Sequence, residues 1–343
     1  MAKERNSNIE LYRIILMLAI VAHHYVVGTG GQIVFDGENW KRDFILIFGA
    51  WGKIGINCFT LITGYYMCKS QITAKKFIKL FLEVLFYNIL FFTLFVVFGY
   101  EKLSIHSLTN CLPVSSIKQN YTGCFLMLYL AIPFINILIR ALNKKQYRNL
   151  LMLLGFVYVF FGTFRTSVLG VSMNYFSWLI VVYLIGAYLR INPLNISTKN
   201  WTLLAITTTV LSTTSIYISD RLISRPYAFV MDSNTILAVF TSVCLFMVFV
   251  NIKIPNSTIV NTIASTTFGI LQIHANSETM RRWLWGDIFN LSDVYHKSLM
   301  PLRMIGTVVV VFMICSGIDL IRQIFMEKPF INLIEKCISK QET

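Results

Sequence analysis

The sequence predicts an all-α polytopic membrane protein with about ten transmembrane helices, and three observations predict it. Hydrophobic residues make up 56% of the 343-residue chain and charged residues only 13%, about half the charge of a soluble domain. Mean hydropathy is +0.64. The apolar residues gather into segments mostly near the roughly 20 residues that a helix needs to cross a bilayer. No single soluble core could hide so much apolar surface, whereas lipid solvates it.

In order, the segments lie near 9–27, 44–67, 80–99, 121–140, 149–164, 174–190, 202–219, 233–251, 259–275 and 301–322. The first has a basic start and an apolar run like a signal peptide. It ends in His23-His24-Tyr25 with no small-residue cleavage site straight after, so it reads as a retained span. The second, GKIGINCFTLITGYYM at its core, carries Gly52, Gly55 and Gly64, which permit close helix approach. The fifth and ninth are short, and so tilted, re-entrant or half-buried. No linker, low-complexity tract or repeat divides the chain. One integral-membrane domain is therefore expected over 1–325, followed by a short amphipathic cytoplasmic tail at 326–343.

Charge tests this layout. Net charge is +14 and the pI about 9.5. No nucleic-acid motif accompanies it, so nucleic acid is not an expected partner. With the N-terminus inside, the cytoplasmic face receives most of the 30 lysines and arginines, among them Lys75, Lys76, Lys79, Lys144 and Lys145. Such an excess fixes orientation and meets anionic headgroups of the bilayer. Both termini are expected in the cytoplasm. The seven cysteines are odd in number and scattered, which argues for helix packing rather than disulfides. No histidines stand at i, i+4 and no cysteine–histidine spacing fits, so no metal is expected.

Ionisable groups in apolar spans are costly and are functional candidates. Arg13 and His24 are eleven residues apart, which returns to within roughly 20° of one helix face with a rise on the order of 16 Å. One face would carry a cation near the cytoplasmic side and an imidazole nearer the outer side. Glu10 is one turn before Arg13, close enough to pair. His23 is turned off that face. The plainer reading is that Arg13 snorkels to the inner headgroups and His24 marks the outer interface; spacing alone does not choose.

Lys53 and Asn57 lie in the second span, Lys53 at a depth close to that of His24. There Lys53 either snorkels or steadies an imidazole or oxyanion beside it. The ninth segment ends in His274, followed by Glu278. His274 is a second ring at an outward-facing site or an interfacial histidine. Trp283 and Trp285 read as interfacial anchors, and His106 and His296 as solvated loop residues.

These residues form a familiar pattern. NIELYRIILMLAIVAHHY resembles the opening span of the membrane acyltransferase three family, with its acidic residue, arginine three on and histidine eleven further: Glu10, Arg13 and His24. GINCFTLITGYYM is similar to the family's second span, and FLMLYLAIPFIN to its LYL-x-x-P-F-x-N segment. YLIGAYLR and TTFGILQIHAN resemble its later spans, in the family's order. Two departures concern donor binding. Lys76 and Lys79 stand where the family is usually arginine-rich, and the Trp that often precedes the Leu-Tyr-Leu segment is missing.

The resemblance implies transfer of an acyl group, usually acetyl, from cytoplasmic acyl-CoA to a hydroxyl of a cell-surface or extracellular glycan, at the cell membrane. Arg13, Lys76 and Lys79 would hold the CoA phosphates. His24 would act as general base or first carry the acyl group. The donor is a substrate, and no permanently bound cofactor is implied. Lys53, Asn57, His274 and Glu278 are candidate acceptor contacts. The competing class is a glycan or small-molecule transporter, but pseudo-symmetric halves with matched broken helices are not legible.

Overall fold

A computed structural model describes residues 7–28, 37–113, 121–164, 174–230, 232–327 and 329. The expected tail at 326–343 falls, beyond its first residues, outside them. Among the described residues the chain is helical throughout, with no strand. Among the described residues, seven helical runs are long and apolar enough to cross a membrane, and the chain is a multi-pass membrane protein.

The first span is α1 (Ser7–Gly28). The second is bent into α2 (Trp40–Gly49) and α3 (Gly52–Met67), and the third is α4 (Ala74–Val97). A short α5 (Ile105–Asn110) precedes α6 (Tyr121–Ala141). The fifth segment is α7 (Lys144–Leu154), a π-helical stretch over Gly155–Phe160, and α8 (Phe161–Phe164). Then come α9 (Tyr175–Ile191), α10 (Thr198–Ile223) and α11 (Ile236–Asn251). The ninth segment is broken into α12 (Thr258–Ser265) and α13 (Thr267–His274). Beyond it lie α14 (Glu278–Arg282), a π-helical stretch over Trp283–Ile288, and α15 (Leu291–Tyr295). The last span is α16 (Met300–Arg322).

Side-chain chemistry explains the boundaries. Asn39, Thr73, Asn143, Ser197, Ser257 and Ser277 each accept a backbone N–H in the first turn of the helix that follows, which satisfies donors a helix start leaves free. The break at Thr266 has a local cause. Ser265, Thr266 and Thr267 each donate a hydroxyl to the carbonyl three residues back, at 2.7, 2.7 and 2.8 Å, and such bonds compete with the helical ladder.

The outer surface is apolar. Phe134 is 74% exposed, Ile259 73%, Leu203 63% and Met313 60%, which is tolerable in lipid and not in water. Inside, α3 and α9 cross through reciprocal glycines. A Cβ on Gly64 would strike the Tyr183 backbone, and one on Gly186 would strike the Leu61 backbone. Gly64 and Gly186 thus serve one close crossing, while Gly52 and Gly55 face α1. The helix α1 runs through the middle, against α2, α3, α11, α12, α13 and α16. Its start is tied down by Asn8, which donates to the carbonyls of Phe249 and Ile252 at 2.6 and 3.0 Å. That tie marks the near end of the bundle; His24 lies at the far end.

Candidate functional site

At the far end, α1 and the broken ninth segment bring two histidines together. Nδ1 of His24 lies 2.9 Å from Nε2 of His274, with ring centroids 5.1 Å apart. Nδ1 of His274 lies 2.6 Å from the Ile270 carbonyl. A carbonyl only accepts, so His274 carries its proton on Nδ1. With both rings neutral, His274 Nε2 then accepts from His24 Nδ1–H, and Nε2 of His24 is left with a free lone pair. One backbone carbonyl, acting through a second ring, sets the tautomer of the first.

His23 has a different place. Its Nδ1 donates to the Gly49 carbonyl at 2.6 Å, and its ring lies where a Cβ on Gly52 would be. It is buried at the bend between α2 and α3 and packs α1 against that corner. Its partners lie on α2 and α3, whereas the His24 ring meets α13.

Cations and aromatics surround the pair. Lys53 donates to the Tyr175 hydroxyl and lies within electrostatic reach of His23 and His24, as does Arg281. Burial works against the Arg281 charge and lowers its pKa, while Glu278 and Tyr175 support it. Glu278 itself is exposed at the start of α14. Trp285 is fully buried, its ring centroid 6.3 Å from that of His274 and 5.4 Å from that of Tyr25. It fits because residue 28 is glycine, where a Cβ would stand 2.6 Å from the indole. The interfacial-anchor expectation for Trp285 is therefore corrected: this indole roofs the histidine pair. His106 and His296 are exposed.

Asn57 is placed elsewhere. It is 1% exposed, donates to the Ser233 carbonyl at 2.6 Å and accepts from Trp178 Nε1 at 3.0 Å. Both ends of its amide join α3 to α9 and to the segment before α11. The amide thus locks these helices together.

Eleven residues back on α1, Arg13 faces Glu10 at 3.4 Å. Its side chain is 31% exposed, and its Nε is buried with no acceptor among the described residues. The Tyr121 hydroxyl, bonded to Thr60, lies within its electrostatic reach. Near the start of α4, Lys76 donates to the Gln71 carbonyl at 3.3 Å and Lys79 pairs with Glu327 at 2.5 Å.

A second charged group was passed over in the sequence. Asp319 is fully buried and accepts from Tyr87 at 2.7 Å, Arg322 Nε at 2.8 Å and Gln323 at 2.7 Å. Arg322 also reaches Glu83 at 3.0 Å and Glu327 at 3.0 Å. This network joins α4 to α16, and Asp319 fills the space a Cβ on Gly269 would take, so it seats α13 as well. The signal was in plain view: three ionisable residues inside apolar spans. Arg281 and Tyr175 left no such signal, because one lies outside the apolar segments and the other at the very start of one, where polar residues are ordinary.

A family model described as an acyltransferase domain matches residues 6–320. No curated protein and no solved structure matches the chain.

Proposed function

The chain belongs to the acyltransferase three family, a membrane acyltransferase family, and from that footing we propose that it moves an acetyl group from cytoplasmic acetyl-CoA to a hydroxyl of a cell-surface or extracellular glycan. The observation that carries the reading is the hydrogen-bond chain from the Ile270 carbonyl through His274 to His24. It leaves a lone pair on His24 Nε2, as a general base requires.

The reaction then runs as follows. The glycan hydroxyl oxygen adds to the thioester carbon, and its proton passes to His24 Nε2. His274 accepts from the imidazolium through Nδ1–H and holds its orientation. Collapse of the tetrahedral intermediate breaks the C–S bond, and the sulfur leaves with the electron pair. The proton on His24 passes to it, giving the CoA thiol. Trp285 roofs the pair and keeps water, the competing acceptor, away. Lys53, held by Tyr175, and Glu278 at the rim are contacts for the acceptor.

The donor would enter from the opposite end. Arg13, with one N–H that meets no acceptor among the described residues, the exposed Lys76 and the half-exposed Lys79 suit the phosphates of CoA. That arrangement goes with both termini in the cytoplasm, residues in a single domain over 1–325, and residence in the cytoplasmic membrane. The test compares base-labile acetyl in the cell's glycan between strains carrying the native protein, Arg13→Ala and His24→Ala. Loss in both, with each protein present in the membrane, supports the reading. Unchanged acetyl in both sinks it.

A further inference from the structure

The roof over the histidine pair is one helical stretch, α14 running into the π-helical Trp283–Ile288. Such π-helical turns are concentrated at functional sites. Two buried N–H groups on it have no acceptor among the described residues, Arg281 Nε and Trp285 Nε1. They are four residues apart and so fall on one face. That face is turned to the histidines: Trp285 stacks edge-on to His274, and Arg281 acts electrostatically on both rings. Lys53 nearby already has the Tyr175 hydroxyl as acceptor. Buried donors without acceptors are rare and call for an explanation.

We propose that Arg281 and Trp285 form the oxyanion site of the transfer, donating from Nε and Nε1 to the thioester carbonyl oxygen. This rests on the acyl-transfer reading above. As the acceptor oxygen adds to the carbonyl carbon, the C=O π electrons move onto that oxygen, and its negative charge meets one cationic and one neutral donor. When the C–S bond breaks, the C=O bond re-forms and the charge leaves with the sulfur, which takes the proton from His24. The donors are preorganised, as such a site requires. The indole is wedged against Gly28 and Tyr25, so its N–H direction is set before substrate arrives.

The test uses inside-out membrane vesicles carrying the full chain, with radiolabelled acetyl-CoA as probe and base-labile acetyl on vesicle glycan as readout. Arg281→Ala is expected to lower the maximal rate about 100-fold, the usual scale for one oxyanion donor. Trp285→Phe, which keeps the ring and removes the N–H, is expected to lower it about tenfold. The half-saturating acetyl-CoA concentration stays at the native value in both. A native maximal rate in Trp285→Phe and in Arg281→Lys overturns the proposal. So does a raised half-saturating concentration at native maximal rate, which would place the two residues in donor binding. If Arg281→Ala is lost from the membrane, Trp285→Phe decides. Native vesicles that incorporate no more acetyl than His24→Ala vesicles overturn the acyl-transfer reading itself, and with it this proposal.

Discussion

His24 and His274 are 250 residues apart in the chain and 2.9 Å apart in the structure, and the second ring makes the first a base. His274→Ala removes the acceptor that holds the His24 tautomer. Acetyl transfer should fall about 100-fold or more, at the lower end of what a positioned base contributes. The check is the vesicle rate at saturating acetyl-CoA, with protein amount measured in the same membranes. A rate within twofold of native would remove His274 from the mechanism.

His23 and His24 separate cleanly. His24→Ala abolishes transfer while the protein accumulates normally. His23→Ala loses the bond to the Gly49 carbonyl and opens a hole at the α2–α3 bend, costing about 1–3 kcal/mol for the stranded buried acceptor. It should lower the detergent melting temperature and leave the rate per folded molecule near native. Equal catalytic loss from both variants would count against the division.

The α3–α9 crossing is unforgiving. Gly64→Val or Gly186→Val drives a branched side chain into the opposing backbone, and neither backbone can yield without parting the helices. Little folded protein should reach the membrane, as judged by size-exclusion profile after solubilisation. A monodisperse Gly64→Val protein would show the crossing to be looser than described.

Asp319 and Arg322 are a structural matter. Arg322→Ala leaves Asp319 and Glu83 buried without their common cation, a loss on the order of 3–5 kcal/mol. Thermal unfolding in detergent should fall by several degrees. Replacing Asp319 by Asn retains acceptor and shape for Tyr87 and Arg322 and should cost less. If the two substitutions cost the same, retained shape and acceptor are not what matter, and the charge of Asp319 carries the network.

Lys79 distinguishes pairing from donor binding. Its bond to Glu327 is half-exposed, so as an ion pair it is worth about 0–1 kcal/mol. Lys79→Ala should therefore leave the melting temperature unchanged and raise the half-saturating acetyl-CoA concentration severalfold. An unchanged half-saturation would take Lys79 out of the donor site.

The sequence by itself determined the solvent, the span order and the ends of one helix. Apolar length follows from bilayer thickness, so the spans are local and legible. The spacing of Glu10, Arg13 and His24 is likewise local, because it lies on one helix. What only the tertiary structure decided is which distant groups meet. His274 as a tautomer-setting partner, Trp285 as a roof, Asn57 as a lock and the Asp319–Arg322 network all join residues on different helices. In lipid, every helix face can be apolar whether it meets a neighbour or a fatty acid, so hydrophobic pattern does not tell one from the other. The contacts are set by small residues and buried polar bonds, which have meaning only as pairs.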